Sequence, residues 1–214
     1  MNKDVSIVIA DDHPMLLKGL HDQLEDSNYN VISSAANGMQ ALEAILTLQP
    51  DIALLDIDMP LLSGFEVVKM AKDKGVHTHF IMLSFHKEAD YVTQAKALQI
   101  QGYLLKEDPF FEIERCIEAV LSGKYYFSKS FEDNILNNAS KEIKKLQLLT
   151  PSESTILKLI AQRMATIDIA ENLFISARTV EKHRSNIIRK LGLEGETNQL
   201  TNWALTNKST ILEL

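Results

Sequence analysis

The stretch D51-IALLDIDMP-60 runs a short apolar segment into two carboxylates, Asp56 and Asp58, before Pro60 closes it. Four apolar residues with an acid immediately after them read as a buried strand that delivers a charge at its end. The same pattern recurs along the front of the chain. VSIVIA (5–10) runs into Asp11 and Asp12, YNVISSAA (29–36) and THFIMLS (78–84) are similar runs, and GYLLK (102–106) ends on Lys106. Segments of helical period lie between them, at 13–26, 39–49, 64–74 and 88–99, with a fifth at 110–122. Strands that are almost wholly apolar, alternating with helices, predict a parallel sheet covered on both faces. The expected fold is α/β: a five-stranded, doubly wound sheet.

In such sheets ligands bind just outside the carboxyl ends of the strands. That edge gathers Asp11 and Asp12 from the first strand, Asp56 from the third, Ser84 from the fourth and Lys106 from the fifth. Three carboxylates brought together repel one another and raise each other's pKa, and a divalent cation relieves the conflict. All-oxygen donors with room for water suit Mg²⁺. Lys106 adds a positive charge and Ser84 a hydroxyl donor. The set describes a receptor for a phosphoryl group, with Asp56 as the nucleophile that attacks in line.

ADDH (10–13), LLDIDMP followed by SG (54–64), LS (83–84) and GYLLK (102–106) together resemble the receiver domain of two-component response regulators, over residues 5 to about 122. The resemblance implies a flavodoxin-like fold, with Asp56 phosphorylated by a sensor histidine kinase in the presence of Mg²⁺. It makes Asp12 a direct metal ligand, Asp11 a holder of metal-bound water, and the backbone carbonyl of Asp58 a further ligand. Ser84 and Tyr103 become the pair that reads phosphorylation, Ser84 moving toward the phosphoryl oxygens and Tyr103 swinging inward. Two residues depart from the pattern: Phe85 stands where a small residue is usual, and Glu107 where many receivers have Pro. Asp58 and His86, two positions beyond the acceptor and the hydroxyl, are expected to tune hydrolysis of the acyl phosphate, a slow autodephosphorylation. A rival reading takes D-x-D as the nucleophile loop of a haloacid-dehalogenase-like phosphatase, Asp56 attacking and Asp58 serving as acid/base. Against it, this loop lies on the third strand and position 60 is Pro.

The back of the chain differs in charge. Residues 1–128 carry 10 Lys+Arg against 19 Asp+Glu, while residues 150–214 carry 8 against 7, so the acidity belongs to the front. SKSFEDNILNNASKEIKKLQ (128–147) reads as a partly helical linker between two domains. The organisation expected is therefore 1–124, a linker at 125–147, and 148–214. Thr150-Pro-Ser-Glu reads as a helix start with a capping box closed by Glu153. TILKLIA (155–161), IDIAENLF (167–174), a helix from about 177 to 191 capped by Ser176, and a last helix at 197–207 follow. Several short helices with tight turns suggest helix-turn-helix.

At about 100° per residue, Val180, Ile187 and Leu191 share one face of the 177–191 helix, with His183 and Arg184 on its flanks. Arg178, Lys182, Ser185, Asn186 and Arg189 lie opposite. Cations and an amide on an outward face suit a DNA major groove. LTPSE…ILKLIA…TVEKHRSNIIRKLG, within 149–192, is similar to the DNA-binding domain of NarL/LuxR (FixJ) class regulators. That resemblance puts Lys182, Asn186 and Arg189 toward DNA, and His183 and Arg184 near phosphates. It also implies a homodimer when active, with promoter DNA, the kinase and RNA polymerase as partners. Arg163 stands where this class often has Gly.

The expected function is thus a DNA-binding transcriptional response regulator rather than an enzyme, with a phosphorylation-independent regulator as the variant within the class. No run of ~18 apolar residues occurs, so no membrane span is expected, and MNKDVSIVIADD turns acidic before a signal-peptide core is complete; the expected location is the cytoplasm. Cys116 is the only cysteine and reads as a buried hydrophobe.

Overall fold

A computed structural model describes residues 4–131, 143–193 and 198–213. It divides into two compact units, residues 1–87 with 98–132, and residues 88–97 with 133–214.

The first unit is built on a sheet of six parallel strands in the order β2-β1-β3-β4-β5-β6. The strands are β1 (Ser6–Ala10), β2 (Asn30–Ala35), β3 (Ile52–Leu55), β4 (His79–Ser84), β5 (Gly102–Leu105) and β6 (Tyr126–Phe127). Interleaved in the chain are α1 (Pro14–Asp26), α2 (Gly38–Leu48), α3 (Gly64–Asp73), α4 (Ala89–Ala97) and α5 (Phe110–Leu121). Five strands and five helices fall where the alternating pattern places them. The sixth strand is the addition: two residues, just past Gly123, pair with Gly102 and Tyr103. Two residues are too short to leave a periodic signal, and they lie in what reads as linker.

Strand side chains alternate between faces, so both faces must be apolar. Ile7, Ile9, Ile52, Leu54, Ile81 and Leu104 build one core with Leu24 of α1 and Ile113, Cys116, Ile117 and Val120 of α5. The alternate strand residues, Val8, Ala53, Leu55, Phe80 and Met82, are equally sealed. Each such aliphatic side chain contributes roughly 1.5–3 kcal/mol by leaving water. Gly102 explains why α5 lies so close to β5, for a Cβ there would stand 2.6 Å from Cys116 Sγ. Cys116 is fully buried, and burial pushes its thiol well above the usual range, as befits an inert core residue.

The second unit contains α4 together with α6 (Pro151–Ala161), α7 (Thr166–Asn172), α8 (Ala177–Leu191), α9 (Gln199–Thr206) and α10 (Lys208–Glu213). Ile156, Leu157, Ile160, Ile169, Val180, Ile187, Leu191, Leu200 and Ile211 form its core, with Trp203 packed against it. The cap of α6 is the capping box read from sequence, Thr150 Oγ1 accepting from the Glu153 amide and Glu153 Oε2 from the Thr150 amide. Ser176 caps α8 by accepting from the Thr179 amide at 3.1 Å. Helix α10 has no counterpart in the sequence reading. Arg163 ends α6 in the left-handed region at φ 66°, making the bonds that a glycine makes there, its amide to Ile160 and the next amide to Leu159. Residues 143–147 are helical, while 132–142 of the expected linker and 194–197 before α9 lie outside the described residues.

Candidate functional site

Strand β1 has β2 on one side and β3 on the other, so the topological switch point lies beyond the ends of β1 and β3. Asp11 and Asp12 leave the end of β1 and Asp56 the end of β3, and the Asp56 amide donates to the Ala10 carbonyl at 2.9 Å, which fixes the two ends side by side. The loop after Asp56 is held by Gly64, where a Cβ would lie 2.1 Å from the Asp56 carbonyl oxygen. Ser63 and Glu66 close a capping box on α3 that keeps this loop short.

Lys106, the positive charge expected at this edge, is pinned between two of the carboxylates. Its Nζ lies 2.7 Å from Asp11 Oδ2 and 2.8 Å from Asp56 Oδ2, and its side chain is 4% exposed. Burial pulls the ammonium down, but the hydrogen bonds and charges of the two carboxylates outweigh it and leave its pKa raised. Asp56 is pushed above the ordinary carboxyl range, mainly by burial and further by Asp11, against the pull of Lys106. Its Oδ1 accepts from the Ile57 amide at 2.7 Å. The mutual repulsion inferred from sequence is present, but desolvation is the larger cause.

Asp11, Asp12, Asp56 and His13 offer ligand atoms that all lie within 4.8 Å of one another. Asp12 Oδ1 is enclosed and accepts no hydrogen bond, although His13 Nδ1 lies 2.7 Å away. An enclosed, unsatisfied carboxylate oxygen among three acids is what an oxygen-seeking cation would satisfy. The donor set therefore fits a hard divalent ion. His13 was missed in the sequence reading; its amide also donates to Asp11 Oδ1 at 2.8 Å, and its adjacency to Asp12 was the available signal.

Ser84 is buried at the end of β4, where its Oγ accepts from the His86 amide at 3.1 Å. Tyr103 is already inside: it is fully buried, its hydroxyl donates to the His86 carbonyl at 3.1 Å, and its ring packs against Phe127 and Phe131. Phe85 is 60% exposed, and its ring centroid stands 5.3 Å from the Lys106 ammonium. Asp58 Oδ2 accepts from His86 Nε2 at 2.6 Å, so the carboxyl that a phosphatase would need as acid/base is engaged by an imidazole.

On α8, Val180, Ile187 and Leu191 are buried while Arg178, Lys182, Ser185 and Arg189 are exposed, as the helical wheel requires. Half-buried Asn186 accepts from Arg189 at 3.3 Å. His183 and Arg184 separate from this group. His183 Nδ1 is enclosed without a hydrogen bond, and Arg184 turns its guanidinium to Thr201 at 3.3 Å and to Glu181 at 3.8 Å. Lys190 reaches back across the domain to Glu153, 2.6 Å away.

Comparison with known proteins gives two family matches, one in each half of the chain. Residues 7–120 match the response regulator receiver domain, and residues 147–204 match bacterial regulatory proteins of the luxR family. The transcriptional regulatory protein MctR of Rhizobium johnstonii is 33% identical over 190 residues, covering 88% of each chain. The oxygen regulatory protein NreC of Staphylococcus aureus is 30% identical over 214 residues, 95% of this chain and 98% of its own. Among solved structures, the two-component response regulator RcsB in complex with DNA is similar at 25% identity and a TM-score of 0.57, over 95% of this chain and 98% of that one.

Proposed function

The chain belongs to the response regulators, with a receiver domain followed by a LuxR-type regulatory domain, and from that premise we propose that Asp56 is its phospho-acceptor and α8 its DNA-reading helix. One observation supports the acceptor reading above the others: a single buried ammonium, Lys106, bridges Asp11 and Asp56 at the switch point. In this reading Asp11, Asp12, Asp56 and the Asp58 carbonyl hold Mg²⁺, which neutralises phosphoryl charge when bound. Asp56 supplies the nucleophilic oxygen; its Oδ1 accepts from the Ile57 amide and its Oδ2 lies against the Lys106 ammonium. Lys106 offers its charge to the incoming phosphoryl oxygens, and Ser84 supplies a hydroxyl donor.

The donor is a sensor histidine kinase. The consequence of phosphorylation is a population shift toward a dimer that binds two DNA half-sites about one helical turn apart. DNA contacts fall to Arg178, Lys182, Asn186 and Arg189, which share the outward face. RNA polymerase is a partner of the DNA-bound form, and slow autodephosphorylation resets the switch. The relatives support this reading: MctR and NreC are named as regulatory proteins, and RcsB was solved on DNA. Among the described residues no helix is long and apolar enough to cross a membrane, which fits a regulator that reaches DNA in the cytoplasm.

Incubation with acetyl phosphate and Mg²⁺, followed by intact mass and a DNA-shift assay on the same sample, tests it. One phosphoryl adduct, absent in Asp56→Asn, and tighter promoter binding by the adduct are expected. DNA affinity indifferent to the adduct would leave a phosphorylation-independent regulator instead.

A further inference from the structure

The side chain at the start of α1 does not do what a residue there usually does. An N-cap side chain commonly accepts from the amides of the first turn. His13 holds the cap position, with φ −92° and ψ 104°, and makes no side-chain cap bond. Its backbone is fixed all the same: the amide donates to Asp11 Oδ1 at 2.8 Å, the carbonyl accepts from the Leu17 amide at 3.0 Å, and Pro14 follows at the first helical position. The main chain thus sets the ring down against the acids. Its Nδ1 stands 2.7 Å from Asp12 Oδ1 and 3.3 Å from Asp11 Oδ1. The shorter approach lacks hydrogen-bond geometry, since Asp12 Oδ1 is enclosed and accepts no hydrogen bond. Two atoms that carry lone pairs, this close without such a bond, are placed as neighbouring donors to one cation. Neighbouring donors on an octahedral ion with ~2.1 Å bonds lie about 3.0 Å apart.

We propose that His13 Nδ1 is a nitrogen donor to the cation held by Asp11, Asp12 and Asp56, and that it turns the site's preference from Mg²⁺ toward first-row transition dications such as Mn²⁺ and Ni²⁺. The proposal rests on the reading of this edge as a divalent-cation site and concerns what that site selects. Mg²⁺ is served by oxygen and gives up its waters reluctantly, so an imidazole adds little to its binding. Affinity for first-row dications rises from Mn²⁺ to Ni²⁺, and imidazole suits the later members. A neutral imidazole with its proton on Nε2 leaves the Nδ1 lone pair to bind. The side chain of His13 is 62% exposed, so it can close on an ion without disturbing the core, and one ligand atom from each of the four residues already lies within 4.8 Å of the others.

The test uses the full chain and the metals alone. Mn²⁺ is followed by its electron paramagnetic resonance signal, and Mg²⁺ and Ni²⁺ by their displacement of it. Electron spin-echo modulation of bound Mn²⁺ reports nitrogen in its shell, and protein grown with ¹⁵N-histidine identifies that nitrogen as imidazole. The unsubstituted protein should show imidazole modulation, which His13→Ala abolishes and His21→Ala keeps. His13→Ala should weaken Mn²⁺ binding about 10-fold, Ni²⁺ by more, and Mg²⁺ by no more than about 2-fold. A merely structural role at the helix start would weaken all three alike. Asp12→Ala should weaken every metal. Mn²⁺ bound without imidazole modulation, modulation that survives His13→Ala, or equal losses for the three metals overturns the nitrogen donor and leaves the carboxylate site standing. Failure of all three to bind, or binding indifferent to Asp12→Ala, overturns the cation reading and this inference with it.

Discussion

Lys106 Nζ stands 2.8 Å from Asp56 Oδ2, with neither side chain more than 4% exposed. An ion pair this enclosed is held by mutual need: each charge would be costly alone. Lys106→Met should lower stability in metal-free buffer by about 3–5 kcal/mol, because Asp11 and Asp56 are left facing each other unpaired. Added Mg²⁺ should recover more stability in the variant than it adds to the parent. Urea unfolding with and without Mg²⁺ measures both; equal metal effects would show that the lysine does not share its carboxylates with a cation site.

Gly64 is required by space rather than by backbone angle. A methyl there would meet the Asp56 carbonyl oxygen at 2.1 Å and Met82 Cε at 2.6 Å. Only the methionine can yield, so Gly64→Ala should cost about 1–3 kcal/mol and slow adduct formation as the acceptor loop is pushed aside. Gly75→Ala is the control. It has open space but a φ of 75°, so it should cost roughly 1–2 kcal/mol in strain and leave the phosphorylation rate alone.

Glu153 contributes a pH-dependent part of the second unit's stability. Burial raises its pKa, but Lys190 and the Thr150 cap outweigh that and leave it lowered. A depressed carboxyl stabilises the fold above its unfolded pKa, near ~4.3, and ceases to as pH falls through its lower folded value. Glu153→Gln should therefore destabilise the second unit by about 1–3 kcal/mol at pH 7, and the deficit should shrink below about pH 4. Thermal melts across pH measure the difference. A deficit independent of pH would assign the effect to the cap geometry alone.

Exposed and inward cations of α8 should separate in DNA binding. Lys182→Ala should weaken binding and reduce the salt slope by about one unit, as expected for one lost phosphate contact. Arg184, held by Thr201 and Glu181, should when changed to Ala lower the melting temperature with little change in that slope. Titrations at several salt concentrations distinguish the two.

Arg163→Gly should stabilise the second unit by up to about 1 kcal/mol, since φ 66° costs an arginine what it does not cost a glycine. Unfolding by urea would show it as a raised midpoint.

The fold was legible because the inner strands β1, β3, β4 and β5 are largely apolar on both faces and helical segments lie between the strand runs, so period and order agreed. The acidic edge followed from topology: once Asp11, Asp12 and Asp56 are placed at strand ends, a parallel sheet must bring them together. What the sequence left unread depends on side-chain direction. Nothing in the order of residues says that Lys106 folds down between two aspartates or that the imidazole of His86 crosses to Asp58; helical period put Arg184 beside the apolar face and Lys182 opposite it, but not the partners Arg184 finds there. Helix α10 escaped notice because Asn207, bonded through its side chain to the Trp203 carbonyl, breaks the run just before it. The short β6 escaped because its pairing is made by Gln101 and Tyr103 carbonyls more than twenty residues upstream.

That last pairing bears on how the receiver is to be isolated. A fragment stopped at residue 124 would strip the Gln101 and Tyr103 carbonyls of their amide donors and turn β5 into the sheet's raw margin, a template for intermolecular pairing. It would also unroof Tyr103 on its aromatic side. Such a fragment should aggregate and give a misleading baseline for phosphorylation, whereas one carried through Phe131 keeps the margin closed.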